Sequence, residues 1–155
     1  MKVPLLISLL LCQCAWQPKL APFHTDGCSL SPERSASGDV NWRACCIEHD
    51  LAYWKGGSEE ERLAADERLR ECMLKETGNA RLADTYFEAV RVGGQAHFPT
   101  WYRWGYGWNY LRPPDPLTRE EQSMVERRLK DVVIRDGECL SCVKSTPRFG
   151  PMHRP

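Results

Sequence analysis

From Asp39 to Gly57 the chain reads DVNWRACCIEHDLAYWKGG. At about 100° per residue its densest apolar face carries Trp42, Cys45, Cys46, His49 and Tyr53, with His49 at the middle and Asp50 at the edge. This pattern predicts a helix that starts near Asp39, a good cap residue, and stops at Gly56-Gly57. Ser58 and Glu61 form a capping box that opens a second helix, ending near Gly78-Asn79. Its apolar arc holds Leu63, Leu69, Cys72 and Met73, and Asp66 falls inside the same arc. A third helix, from about Ala80 to Val92, places Leu82, Ala83, Tyr86, Phe87 and Val90 on one face and stops at Gly93-Gly94. A last helix follows the capping box of Thr118 and Glu121, with Met124, Val125, Leu129, Val132 and Val133 apolar.

The segments between are of another kind. Residues 16–38, rich in Pro, Ser and Gly, have no helical period and read as an ordered loop. In QAHFPTWYRWGYGWNYLRPPDP, Trp104, Tyr106, Trp108 and Tyr110 alternate with small or polar residues, which predicts an aromatic loop or a short hairpin. Such a cluster forms either a docking surface for a lipid interface or a satellite core; the core reading is preferred. The tail from Asp136 reads as irregular. The expected fold is mainly α, built on an antiparallel helix pair with an aromatic segment and an additional C-terminal helix.

The pairing follows from the short connection Gly56-Gly57-Ser58, which makes the first two helices an antiparallel hairpin. His49 then lies opposite Asp66, and Cys45 lies further along, opposite Cys72. The axial rises agree, at about 6 Å from Cys45 to His49 and about 9 Å from Asp66 to Cys72. Asp66 is the anomaly of its helix, because an unpaired charge in a buried stripe costs several kcal/mol or neutralises instead.

Composition narrows the setting. A chain of 155 residues forms one domain, expected over residues 16–155 with a C-terminal extension from about 95. With 21 basic and 21 acidic residues, no global field argues for nucleic acid, and any binding of anions or membranes must be local. Residues 1–15, with Lys2, an apolar run and small residues near Ala15, read as a secretory signal. The alternative is a first helix that stays in the fold. Cleavage removes Cys12 and Cys14 and leaves Cys28, Cys45, Cys46, Cys72, Cys139 and Cys142, an even set that an exported chain joins as disulfides. The expected location is outside the cell or in the periplasm or envelope, and the expected state is a monomer; no protein partner is indicated.

A histidine acts as a general base when it reaches a proton and a carboxylate holds its far ring nitrogen in one tautomer. His49 with Asp66 meets that requirement. Asp50 points about 100° away on the helix and is left to bind a cation, for which calcium's preference for hard oxygens suits a loop such as HTDGCSLSPE, where Asp26 offers a carboxylate and Gly27 a tight backbone.

The run CCIEHDLAY resembles the Cys-Cys-x-x-His-Asp-x-Cys-Tyr signature of the secreted phospholipase A2 superfamily, and Asp66 with Cys72 resembles that family's second-helix Asp and Cys. The loop Asp26-Gly27-Cys28-Ser29 is similar to the calcium loop of the bacterial branch. The resemblance covers about residues 23–73. It implies a calcium-dependent hydrolysis of the sn-2 ester of glycerophospholipids, with a membrane surface as substrate. His49 would activate the attacking water, Asp66 would orient His49 and the Tyr53 hydroxyl would support Asp66. Asp26, Gly27 and Asp50 would hold the calcium. Cys28 would pair with Cys46 and Cys45 with Cys72. The chain departs from the animal enzymes at Ala52 and Ala65, where both members of one bridge are replaced together, and in lacking their glycine-rich calcium loop.

Other readings use the same residues. A second reading keeps the fold without catalysis, as a module that binds lipid or protein through the aromatic segment. Alternatively Cys45, Cys46, His49 and Cys72 ligate zinc, since thiolates and imidazole are its preferred ligands. Cys139 and Cys142, a CxxC, form a local structural disulfide or a redox pair. His24, His97 and His153 are expected to be solvated, as is the charged face of SEEERLAADERLRE, helped by Glu59 with Arg62.

Overall fold

The computed structural model describes residues 18–135 and 138–142, so the proposed signal at 1–15, Cys12, Cys14 and His153 lie outside the described residues. Four helices dominate: α1 (Arg43–Lys55), α2 (Glu59–Thr77), α3 (Ala80–Gly93) and α4 (Arg119–Leu129). A two-residue antiparallel pair, β1 (Ile134–Arg135) and β2 (Glu138–Cys139), follows them. The tail expected to be irregular therefore contributes one short strand, β2, to this pair. Among the described residues no helix is long and apolar enough to cross a membrane.

Local chemistry explains most boundaries. The Ser58 side chain accepts from the Glu61 amide while the Glu61 carboxylate accepts from the Ser58 amide, and Gly78 closes α2 in the left-handed conformation. Thr118 and Glu121 form the same reciprocal box at α4. Asn79 caps α3 by accepting from the Leu82 amide. Two boundaries differ from expectation. α1 starts at Arg43 rather than near Asp39, because residues 33–42 double back as a bridge: the Trp42 amide donates to the Glu33 carbonyl, that of Ser35 to Val40, and Arg34 pairs with Asn41. α4 stops at Leu129, short of Val132 and Val133, where the chain turns toward β1.

α1 is the central element. Its expected face is buried through Trp42, Cys45, Cys46, His49 and Tyr53, and Ile47 and Trp54 on other sides are buried as well. One core cluster joins Trp42, Cys45 and Cys46 to Leu69, Met73, Ala83 and Tyr86 of α2 and α3. A second, on the other flank of α1, joins Trp54 to Leu20, Phe23, Trp108 and Val125. Leu63 of the expected α2 arc is instead exposed at 39%. Arg62 and Ala65 are buried in its place.

The aromatic segment forms turns rather than strands. Trp104 and Trp108 are buried and give their indole N–H groups to the Gly57 and Lys55 carbonyls, at 2.8 and 2.6 Å. They close the C-terminal end of α1, while Trp101 and Tyr110 stay exposed. Arg103 is buried among these turns and donates to the carbonyls of Trp104, Gly105 and Trp108. The segment is thus largely core, with two aromatic rings left at the surface.

Among the described residues three disulfides fasten this frame: Cys28–Cys46, Cys45–Cys72 and Cys139–Cys142. The first ties the N-terminal loop to α1, the second ties α1 to α2. Since Cys45 meets Cys72 while His49 meets Asp66, the two helices run antiparallel. Arg43 pairs with Glu33 of the loop and, at 3.2 Å, with Glu138 of β2, so it joins the loop to the C-terminal hairpin.

Candidate functional site: a histidine–carboxylate pair on the central helix

The capping box and Gly-Gly turn set the phase of α2 against α1, and with that phase Asp66 faces His49. His49 Nε2 lies 2.8 Å from Asp66 Oδ1, and the Tyr53 hydroxyl donates to the same oxygen at 2.8 Å. The imidazole and phenol rings stack at a tilt, centroids 4.1 Å apart. On the second carboxylate oxygen, Oδ2, Arg91 of α3 donates at 2.7 Å, and Arg62 stands 3.8 Å away. Asp66 is wholly buried. Burial raises its pKa, but the hydrogen bonds from His49 and Arg91 outweigh that and hold the carboxyl below the usual range. Asp66 is therefore an ionised acceptor, so the proton between it and His49 belongs to Nε2. That fixes the tautomer and leaves Nδ1 as the basic nitrogen.

Burial first, and then the Asp66 charge and hydrogen bond, push the Tyr53 phenol far above its ordinary value, so it stays a neutral donor. Gly94 makes room for it: a Cβ there would lie 2.6 Å from the Tyr53 hydroxyl and 2.5 Å from its ring.

His49 borders a cavity of about 240 Å³ lined by Gly27, Leu30, Asp50, Tyr86, Val90 and Tyr102, among others. Its wall is mainly apolar and belongs to the loop, α1 and α3. Leu30, at the mouth, is 83% exposed and takes a left-handed φ of 59°.

Asp50 is buried beside His49. Its Oδ2 accepts from the Thr25 hydroxyl at 2.5 Å, and it has no ion pair with a basic side chain among the described residues. Desolvation raises its pKa well above the ordinary value despite the Thr25 hydrogen bond, with the Asp26 charge adding to the rise. Asp26, exposed, accepts from the Ser29 hydroxyl at 2.7 Å, and a small cleft lined by Thr25, Asp26, Ser29 and Asp50 separates the two carboxylates. Gly27, at φ 80°, turns the loop here, and its amide donates to Thr25 Oγ1 at 3.0 Å. No group of three or more His, Cys, Asp or Glu side chains converges as a metal site among the described residues. A cation held here would take two carboxylates and complete its shell with loop carbonyls and water, a hard-oxygen set that calcium accepts. A buried carboxylate lacking a basic partner fits that use.

His49, Asp66, Tyr53 and Asp50 thus converge, with Asp26 and Gly27 on the adjoining loop. Cys45 and Cys46 are committed to separate disulfides, so the zinc reading loses its thiolates. His24 is half-buried rather than solvated; it packs on Tyr106 with centroids 4.9 Å apart, and burial lowers its pKa. Arg62, expected on a solvated face, is buried between Glu59, at 2.8 Å, and Asp66. Sequence reasoning missed Thr25 and Arg91. Arg91 had a signal, since it follows Val90 of the α3 apolar face by one residue, while Thr25 had none beyond its place in the loop.

The scaffold is a mainly helical one, fastened by disulfides, that presents a buried His–Asp pair to an apolar cavity. Comparison of the chain with protein-family models, curated proteins and solved structures finds no match.

Proposed function

We propose that the protein is an exported, phospholipase A2-like esterase that hydrolyses the sn-2 ester of glycerophospholipids with calcium. The observation that carries this reading is the His49–Asp66–Tyr53 arrangement, with His49 bordering an apolar cavity and Asp50 beside it. The sequence signature, the paired disulfides and the loop at Asp26-Gly27-Cys28 support it.

In this reading the acyl chain lies in the cavity and a water stands at His49 Nδ1. The imidazole takes the water's proton as the oxygen attacks the ester carbonyl; the same proton then passes to the leaving glycerol oxygen. The bonds made and broken give one fatty acid and one lysophospholipid. Asp66 holds the tautomer and stabilises the imidazolium, and Tyr53 and Arg91 hold Asp66. Calcium, held by Asp26, Asp50 and carbonyls of the loop through Gly27, would supply the positive charge that polarises the carbonyl and stabilises the oxyanion. The exposed Leu30, Trp101 and Tyr110 suit contact with the lipid surface that presents the substrate.

The test is fatty-acid release from glycerophospholipid vesicles by the purified protein, with calcium and with chelator, beside His49→Asn. Calcium-dependent release that His49→Asn abolishes is expected; equal release by both proteins overturns the catalytic role of His49.

A further inference from the structure

We infer that Arg91 is a positioning residue for His49, acting through Asp66. This rests on the hydrolase reading above, but it also makes a claim about the imidazole that holds without turnover.

The Asp66 carboxylate divides its two oxygens. Oδ1 receives His49 and Tyr53, both from α1. Oδ2 receives Arg91 at 2.7 Å from α3, a third element. A carboxylate bonded at one oxygen alone can rotate about its last torsion, which is broad and two-fold. A charge-assisted bond on the opposite oxygen removes that freedom and keeps Oδ1 on Nε2. Arg62, the other cation, is worse placed for this: it stands 3.8 Å from Oδ2, gives its Nε to Glu59 at 2.8 Å and donates to the Arg91 carbonyl at 3.4 Å.

Arg91 also sits on the turn of α3 that lines the cavity. Its neighbours Val90 and Gly93 are wall residues, whereas Arg91 is not. It does not reach the place of the substrate, so its effect passes through Asp66. The charged and titratable groups around Asp66 are His49 and Tyr53 from α1, Arg62 from α2 and Arg91 from α3, with Glu59 paired to Arg62. Arg91 is the α3 member whose side chain bonds the Asp66 carboxylate, so the helix that walls the acyl groove also fixes the orientation of the base.

The experiment compares wild type, Arg91→Gln and Arg91→Lys by proton NMR at one fixed pH, with near-UV circular dichroism as the check on folding. A His49 N–H bonded to a buried carboxylate gives a resonance far downfield, assigned by its loss in His49→Asn. In Arg91→Gln that resonance is expected to broaden through exchange with water and move upfield; in Arg91→Lys it is retained. On vesicles with calcium, kcat of Arg91→Gln falls about 10- to 100-fold with KM little changed, the range for outer partners of a reacting centre. Added guanidinium ion restores part of that loss, because the Arg91 side chain is partly exposed, at 26%. An unaltered downfield resonance in Arg91→Gln overturns the inference, whatever the activity. Should the resonance respond as expected while wild type releases no fatty acid, the role of Arg91 stands and the hydrolase reading fails. Loss of the near-UV signal in Arg91→Gln moves the decision to Arg91→Lys against Arg91→Met, where equal behaviour of a folded pair contradicts a requirement for the charge.

Discussion

His49 on α1 and Asp66 on α2, separated by 17 residues, meet across the helix pair at 2.8 Å, and Asp66 has no exposed surface. A buried carboxylate requires partners, and Asp66 finds four, in His49, Tyr53, Arg91 and the more distant Arg62. Asp66→Asn keeps the shape but removes the charge that selects the tautomer. It is expected to lower kcat by about 100-fold or more, in the range lost with general-base chemistry. It should also destabilise the fold, since Arg91 loses its carboxylate partner and Arg62 keeps only Glu59. Steady-state kinetics and urea unfolding of the same preparation check both.

Asp50 has the opposite problem, a buried carboxylate with a single neutral donor, Thr25. Asp50→Asn should leave stability unchanged or raised in chelator, since it replaces a carboxyl whose charged form burial disfavours. Calcium should raise the Tm of wild type, because a ligand that binds only the folded state stabilises it. The same calcium series on Asp50→Asn should give no shift; a calcium-dependent rise that survives the substitution would place the cation elsewhere.

Acid should weaken the fold through Asp66 and Glu121. Both carboxyls are held below their ordinary range, Asp66 by His49 and Arg91 against the rise from burial, Glu121 chiefly by its hydrogen bond with Arg112 at 2.7 Å. A depressed folded pKa means the stabilisation is complete above the unfolded values, about 4 for these carboxylates, and is lost as pH falls through the folded ones. Asp50, whose folded pKa is raised, acts in the opposite sense above that value, so the test lies below it: from about pH 4 downward unfolding free energy should fall, and less steeply in Glu121→Gln.

How much of this was readable in the chain depended on whether the signal was local. The end points of α2 were legible because Ser58, Glu61 and Gly78 satisfy its terminal backbone groups with their neighbours. The facing of His49 and Asp66 was legible because a Gly-Gly-Ser turn leaves the helices few alternatives. The start of α1 was not, since the bridge between Arg34 and Asn41 competes with helix at Asp39 and is decided by tertiary contacts. Arg62 reads as solvated and Arg91 goes unremarked because hydrophobic periodicity counts a charged residue as solvated and cannot register a cation that is buried by pairing.

Gly94 gives the sharpest steric test. A methyl there meets the Tyr53 ring and hydroxyl at 2.5 and 2.6 Å and the Val90 carbonyl at 2.8 Å. Gly94→Ala should cost about 1–3 kcal/mol through overpacking. It should also displace Tyr53 from Asp66, lowering kcat more than Tyr53→Phe does, since the ring itself must shift. Comparable kinetics for the two variants would mean that Tyr53 moves without disturbing the His–Asp pair.

Breaking the bridge between α1 and α2 with Cys45→Ala and Cys72→Ala together should cost about 2–4 kcal/mol. The loss should appear in unfolding by denaturant as a lower midpoint with a larger exposed surface in the unfolded state.

The most direct measurement is the position of cleavage. A glycerophospholipid labelled in its sn-2 acyl chain is presented in vesicles with calcium to wild type and to His49→Asn. Release of the labelled fatty acid by wild type, and its loss in a folded His49→Asn, is the predicted result. Release that His49→Asn does not diminish, or no release by wild type at any calcium concentration, would contradict the account.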